Sequence, residues 1–381
     1  MSKLSNVSCY VTEKISVDSI DISEYITTDN LLQNKKGRVI AEKLPTQKVT
    51  RFKKNDILVG FIRPYLKKIW QADIDGGASS DVLVVRPNDV IDNNFLYYAL
   101  TQDSFFEYVM KGSKGTKMPR GDKSQIMNFV IPDLEIDEQI KIGKLLKSID
   151  QKIQINNQIN QELEAMAKTL YDYWFVQFDF PDQNGKPYKS SGGKMVYNPE
   201  LKREIPEGWG VESVGNLLDK VTKAEKIENN SIEFIGEIPV IDQSQKFIAG
   251  FTNNENALLQ AQDGHVIFGD HTRVVKYINF DYARGADGTQ VLISNNENIS
   301  NVLLYHMIED FDLSNYGYAR HFKFLKEKTV IVPDKEVSSK FETQANVIYE
   351  KIKNNIFENQ ELTQLRDWLL PMLMNGQVKV E

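Results

Sequence analysis

The chain predicts an α+β protein: two similar sheet-and-helix domains separated by two long antiparallel helices that form a coiled coil, a tandem repeat with an approximate two-fold axis. Three observations carry that prediction. The line "NQELEAMAKTLYDYWF" beginning at Asn160 returns as "NQELTQLRDWLLPML" from Asn359. Strand-like segments ahead of each copy also match, with "NFVIPD" (Asn128–Asp133) echoed by "TVIVPD" (Thr329–Asp334). Both copies carry apolar residues at alternate spacings of three and four, the signature of a helix paired with a helix.

At 381 residues the chain exceeds what one core usually serves, and two domains follow. The repeat divides it into a first domain over 1–135, a helix over 136–176, a linker over 177–204, a second domain over 205–335, a second helix over 336–376 and a tail over 377–381. The offset between the halves is 199 at the helices, 201 at the Pro-Asp strands and 209 at the pairs Ile57/Val266 and Gly76/Gly285, drift of the kind loop insertions leave. Each half reads in one order: strands with turns, a glycine-containing loop, a strand ending in Pro-Asp, then the long helix.

Within the first domain the charge is uneven. Lys35 to Trp70 holds eleven Lys or Arg against two acids, and "KGSKGTKMPRGDK" (Lys111–Lys123) holds five basic residues against Asp122. A net charge of −7 would argue against nucleic acid, but these clusters give the first domain a basic footprint.

The first helix carries its stripe on Ile142, Leu145, Ile149, Lys152, Asn156, Ile159, Leu163, Met166, Leu170 and Tyr173. The second carries Phe341, Gln344, Ile348, Lys351, Asn355, Glu358, Leu362, Leu365, Leu369 and Met372. Predicted seam positions are Ile149, Asn156, Leu163 and Leu170 on one helix and Ile348, Asn355, Leu362 and Leu369 on the other. Lys and then Asn interrupt both stripes at matched places, and polar seam residues fix register and partner at a cost in stability. The connectivity makes the pair antiparallel, with Asn156 and Asn355 near its middle and a domain at each end. A helix of some 35 residues spans about 50 Å, so the pair reads as a spacer. The linker, rich in Gly, Pro, Ser and Asn, is an expected loop or strap, with Tyr171 to Phe180 either sealing the helix end or facing a partner.

Several function classes are excluded. No stretch approaches the roughly 18 apolar residues of a membrane helix, and the start lacks the apolar core of a signal peptide, so a cytoplasmic protein is expected. Cys9 is the only cysteine, leaving no disulfide and no thiolate cluster, and its apolar-polar setting reads as strand filler. The Walker phosphate loop is missing, and so is the Asn/Asp-Pro-Pro-aromatic motif of amino-methyltransferases. Asp133, Asp150 and Lys152 imitate a nuclease spacing, but Lys152 falls on the helix seam. His265 and His271, read as six residues apart on one strand, would lie about 20 Å apart, too far to share a metal.

One stretch carries a specific resemblance. "LYDYWFVQFDFPDQNGKPYKSSGGKMVYNPELKREIPEGW" (Leu170–Trp209), with the tandem halves and paired helices, resembles the specificity (S) subunit of Type I restriction-modification systems over essentially the full length. "GDHTRVVKY" (Gly269–Tyr277) resembles a recurrent segment of that family's second recognition domain. The resemblance implies two target-recognition domains and helices that bind two methyltransferase subunits. Those subunits would methylate adenines in a bipartite, asymmetric double-stranded DNA target. S-adenosylmethionine, Mg and ATP would act on partner subunits, including restriction-translocase subunits, and this chain would carry no catalytic residue or metal.

Contact candidates come from chemistry: Arg63, Lys67, Lys68, Lys114, Lys117 and Arg120 in the first domain, and Arg273, Lys276, Arg284, Arg320, His321 and Lys323 in the second. Cations neutralise phosphates, and arginines reach guanine O6 and N7 in pairs. Two alternatives stay open: a non-catalytic coiled-coil assembly protein whose heads bind proteins, and the specificity module of a Type IIB-like complex.

Overall fold

Runs such as "ILVG" (Ile57–Gly60) and "VLVV" (Val82–Val85) are apolar at every position, and a strand with no polar side must be covered on both faces. The computed structural model, which describes residues 1–219, 221, 224–317 and 320–380 and so leaves Glu381 of the tail outside, gives these strands that setting. Two units arise, Met1–Ile155 with Glu358–Glu381, and Asn156–Phe357. Among the described residues no helix is long and apolar enough to cross a membrane.

The first unit begins with β1 (Ser2–Lys3), α1 (Leu4–Val7), β2 (Ser8–Tyr10), β3 (Lys14–Ile15), β4 (Tyr25–Ile26) and β5 (Val49–Phe52). It continues through β6 (Ile57–Gly60), β7 (Ile69–Gln71), β8 (Gly76–Ala78) and β9 (Val82–Pro87). Then come α2 (Asn93–Thr101), α3 (Asp103–Lys111), α4 (Lys123–Ile126) and β10 (Val130–Ile131). One sheet runs β2-β9-β6-β7, a second β3-β5-β8-β4, and β1 pairs with β10.

Strand parity distributes the first sheet's side chains. Ile57, Val59, Leu83 and Val85 join α2 and α3 in one core, while Leu58, Val82, Val84 and Trp70 join Phe52 and Ile26 of the second sheet in another. The sheet is thus the middle layer, as the period of two requires.

The second unit repeats the plan. It contains β11 (Met195–Asn198), β12 (Arg203–Pro206), β13 (Gly210–Ser213), β14 (Leu218–Asp219), β15 (Ile238–Ile241), β16 (Gly250–Thr252) and β17 (Leu258–Leu259). These are followed by β18 (His265–Gly269), β19 (Val275–Ile278), β20 (Tyr282–Arg284), β21 (Thr289–Ser294) and β22 (Thr329–Val332). The sheet β14-β21-β18-β19 mirrors β2-β9-β6-β7 in order. Its register matches too: Ile57 faces Val85 and Gly60 faces Val82, as Val266 faces Leu292 and Gly269 faces Thr289. In the other sheet, parallel β4-β8 corresponds to parallel β15-β20, but the fourth strand changes edge, β3 lying beside β5 and β16 beside β15.

Two helices serve both units in sequence: α5 (Ile136–Tyr171), which follows β10, and α8 (Lys335–Met374), which follows β22. α6 (Asn301–Ile308) and α7 (Phe322–Lys326) precede β22. Within the first unit, Ile142 and Leu146 of α5 share a core with Leu370, Leu373 and Met374 of α8. Arg366 pairs with Asp150 at 2.7 Å and Glu358 with Lys152 at 3.2 Å, so the two segments run antiparallel. Within the second unit, Asn355 Nδ2 donates to Asn160 Oδ1 at 2.8 Å and the Tyr171 and Phe341 rings meet, again antiparallel.

Each domain grips its helices through a polar clamp. Tyr98 of α2 donates to Asp150 at 2.6 Å while Arg366 holds the other carboxylate oxygen. In the second unit the corresponding contact is His306 of α6, with Tyr349 at 3.2 Å on one ring nitrogen and Glu309 at 2.7 Å on the other. A glycine makes the first docking close: a Cβ at Gly143 of α5 would lie 2.6 Å from Asp92 Oδ1, the carboxylate that caps α2 by accepting from the Asn94 and Phe95 amides.

Three expectations need correction. The buried line on α8 runs Phe341, Ala345, Tyr349, Ile352, so it follows 3.6 residues per turn where the stripe expected Gln344 and Lys351, and those two are exposed. Met166 and Leu365, placed on the stripe, are exposed at 58% and 44%, and Ala167 points inward instead. The linker is not only a loop: β11 and β12 form an antiparallel hairpin, Met195 facing Pro206. Phe178 and Phe180 turn inward, Phe180 stacking on Tyr188 at 4.6 Å and on Trp209 at 5.0 Å, whereas Tyr173 and Tyr197 are exposed. α5 ends on a π-helical turn, Asp172–Val176, that carries Trp174 and Phe175 into the same cluster.

Candidate nucleic-acid interface

In the first domain, three segments meet beyond the end of β6. The hairpin loop 61–67 is stitched to the segment at Asn34 and Lys35 by the amides of Asn34 and Lys35, which donate to the Leu66 and Lys67 carbonyls, each at 2.9 Å. It is stitched to the loop 114–120 by the Arg63 amide, which donates to the Pro119 carbonyl at 2.8 Å. Asn34, Lys35, Arg63 and Lys67 all adopt positive φ, at 56°, 62°, 52° and 50°. For non-glycine residues that conformation costs on the order of 1 kcal/mol each, and surrounding bonds must hold it.

The cations of this corner differ in what they have left to offer. Lys35 and Lys67 share Asp103, at 3.0 and 2.9 Å. Burial pushes that carboxyl up, but the hydrogen bonds from Lys67 and Lys35 outweigh it and hold Asp103 below the usual range. Lys68 turns its amine to the Thr28 carbonyl, and burial lowers its pKa. Lys114 lies 3.7 Å from Asp122, and Arg120 3.9 Å from Asp81. Arg63 and Lys117 are exposed, and neither side chain has a hydrogen bond or ion pair among the described residues.

The second domain builds the matching corner beyond β18 from loops 242–245, 270–273 and 285–288. Gln243 is the hub: its Nε2 donates to the Asp287 carbonyl at 3.0 Å, its Oε1 accepts from the His271 amide at 3.1 Å, and its backbone carbonyl accepts from the Thr272 hydroxyl at 2.6 Å. The Asp270 amide donates to the Gly288 carbonyl at 2.7 Å, and the Arg273 amide to the Gly269 carbonyl at 2.8 Å. Arg273 is exposed with φ 64°.

Two candidates are corrected here. Lys276 is a core residue, 5% exposed, whose amine donates to the carbonyls of Asp242, at 2.8 Å, and Lys246, so it has nothing to present to a ligand. Burial pushes its pKa down to about 8, with Asp242 opposing. His321 is also buried, its amide and Nδ1 both within 3.0 Å of the Asp270 carbonyl. Arg284 is half-buried on β20 with its Nε unpartnered, while Arg320 and Lys323 are exposed. His271 lies beyond the end of β18, not on the strand with His265.

Of the seam positions, Ile149, Asn156 and Asn355 are buried, and Leu163, Leu170, Ile348, Leu362 and Leu369 are half-buried. The sequence reading missed Gln243, Asp103 and Asn34. Counting the two basic clusters passes over all three, since Gln243 and Asp103 lie outside those clusters and Gln243 and Asn34 carry no charge.

Residues 11–165 match the family model described as a Type I restriction modification DNA specificity domain. Among curated proteins, the chain is 26% identical to the Type I restriction enzyme MjaIX specificity subunit of Methanocaldococcus jannaschii, over 78% of this chain and 72% of that one. It is 24% identical to the Type I restriction enzyme HindI specificity subunit of Haemophilus influenzae, over 98% of each. Among solved structures, the S subunit of a Type I restriction-modification system from M. genitalium shares the fold, with a TM-score of 0.58 at 18% identity, covering 98% of this chain and 95% of that one.

Proposed function

We propose that the chain is a specificity subunit of a Type I restriction-modification system, on its similarity to the specificity-domain model over residues 11–165 and to the two curated specificity subunits, and that it reads a bipartite, asymmetric double-stranded DNA target, one half-site per domain. The observation that supports this most directly is a shared framework with unshared loops. Both domains keep the register of their central sheet, yet the loops beyond it differ in length and charge, 61–67 against 270–273. Matched scaffolds with different tips suit two different half-sites, whereas identical tips would suit a palindrome.

On this reading the chain contributes geometry, not chemistry. It positions two methyltransferase subunits for adenine methylation, restriction-translocase subunits join the same cytoplasmic complex, and S-adenosylmethionine, Mg and ATP act on those partners. The test is to map methylated adenines by single-molecule sequencing in the source cell, with this gene intact and deleted. Loss of one bipartite motif is expected. A methylome unchanged by deletion, with the partner methyltransferase shown to be expressed, would reject the reading in favour of an assembly protein.

A further inference from the structure

The two corners described above hold many cations, and in each the arginine of the hairpin loop stands apart. Arg63 lies in β6–β7 and Arg273 in β18–β19, equivalent hairpins by strand order and register. Each is exposed, each has a left-handed backbone at φ 52° and 64°, and each has its amide tied to a neighbouring carbonyl at 2.8 Å. Neither guanidinium has a hydrogen bond or ion pair among the described residues. Around them most of the other cations are spoken for: Lys35 and Lys67 by Asp103, Lys68 by the Thr28 carbonyl, Lys276 by the Asp242 and Lys246 carbonyls, with Lys117 the exception.

A side chain that reads a base edge needs a planar pair of donors, a rigid platform and freedom from internal partners. A strained backbone retained on a surface loop is itself a pointer to function. Resting on the function proposed above, we infer that Arg63 and Arg273 are the guanine-reading residues, one in each half-site, each donating to O6 and N7 in the major groove. The surrounding lysines hold loops or meet phosphates. Lys117, although unpaired, has no planar fork, and Arg320 lies outside the hairpin.

The experiment uses the chain assembled with its methyltransferase subunits. The motif methylated by the wild type is determined first, and absence of any bipartite motif would sink the functional reading and this inference together. With the motif in hand, Arg63→Ala is expected to accept any base at one guanine position of one half-site, losing roughly 10- to 100-fold discrimination, with the other half-site unchanged. Arg273→Ala should do the same in the other half-site. Replacing the read guanine by 7-deazaguanine should weaken wild-type binding but leave Arg63→Ala unaffected. Uniformly weaker binding with an unchanged motif would make these arginines phosphate contacts and overturn the inference.

Discussion

Lys276 shows how a single buried group sets a pH response. Its amine titrates near 8 in the folded chain against an ordinary 10.5, so between those values the unfolded chain binds more protons and stability rises with pH. Below about pH 8 both states are protonated and the cost of the buried charge is constant. Lys276→Met should therefore lack a rise of at most roughly 1.4 kcal/mol per pH unit in that window, read from urea unfolding at pH 7.5 to 10. Identical slopes for both proteins would show that the amine is not buried in solution. The clamp on the other unit predicts a loss instead. Arg366 holds Asp150 while Tyr98 donates to it, and Arg366→Ala would leave a half-buried carboxylate with the tyrosine as its remaining partner. With partial exposure discounting the buried-pair value, a loss of roughly 1–3 kcal/mol is expected in chemical denaturation.

Helix α5 gives a sharper test, because propensity and packing disagree at Gly143. Alanine is favoured over glycine inside a helix by about 1 kcal/mol, yet the added methyl would strike Asp92 and Asn94, whose backbone is fixed by the α2 cap. Gly143→Ala should lower the thermal midpoint, and a raised midpoint would mean that α2 yields easily. Conflicts of this kind mark the boundary of what the sequence made legible. The two halves, the long helices and the α+β class were readable because repeats and periodicity are written along the chain. The hairpin of β11 and β12 was not, since the Gly, Pro and Asn content of 177–204 signals turns without saying what they join. Lys276 and His321 looked like surface cations because charge alone does not reveal the buried side of a strand or a cap. Stripe residues such as Met166 and Leu365 failed for a geometric reason: a strict heptad drifts against a helix of 3.6 residues per turn.

At the scale of the whole chain, the proposed reading makes helix length a determinant of the DNA target. Deleting one heptad from each helix at matched places, Ile153–Ile159 and Ile352–Glu358, removes about 10 Å of helix, or about 3 base pairs of duplex. The methylated motif should keep both half-sites and lose spacer; altered half-sites at an unchanged spacer would refute that dependence. Stability should be shared across the chain in a related way. Leu370, Leu373 and Met374 lie in the core of the first unit, so truncation after Leu369 should destabilise residues 1–155 by roughly 5 kcal/mol, seen as lost amide protection there.

That distant closing segment also puts a clock on synthesis. Residues 156–357 must all be translated between the two parts of the first unit. At about 5–20 residues per second the ribosome needs roughly 10–40 s to make them. Throughout that interval the newborn first domain waits with the apolar side of Ile142 and Leu146 uncovered by its own chain, open to chaperones and to other nascent copies. The residues that end its exposure are made only after residue 357.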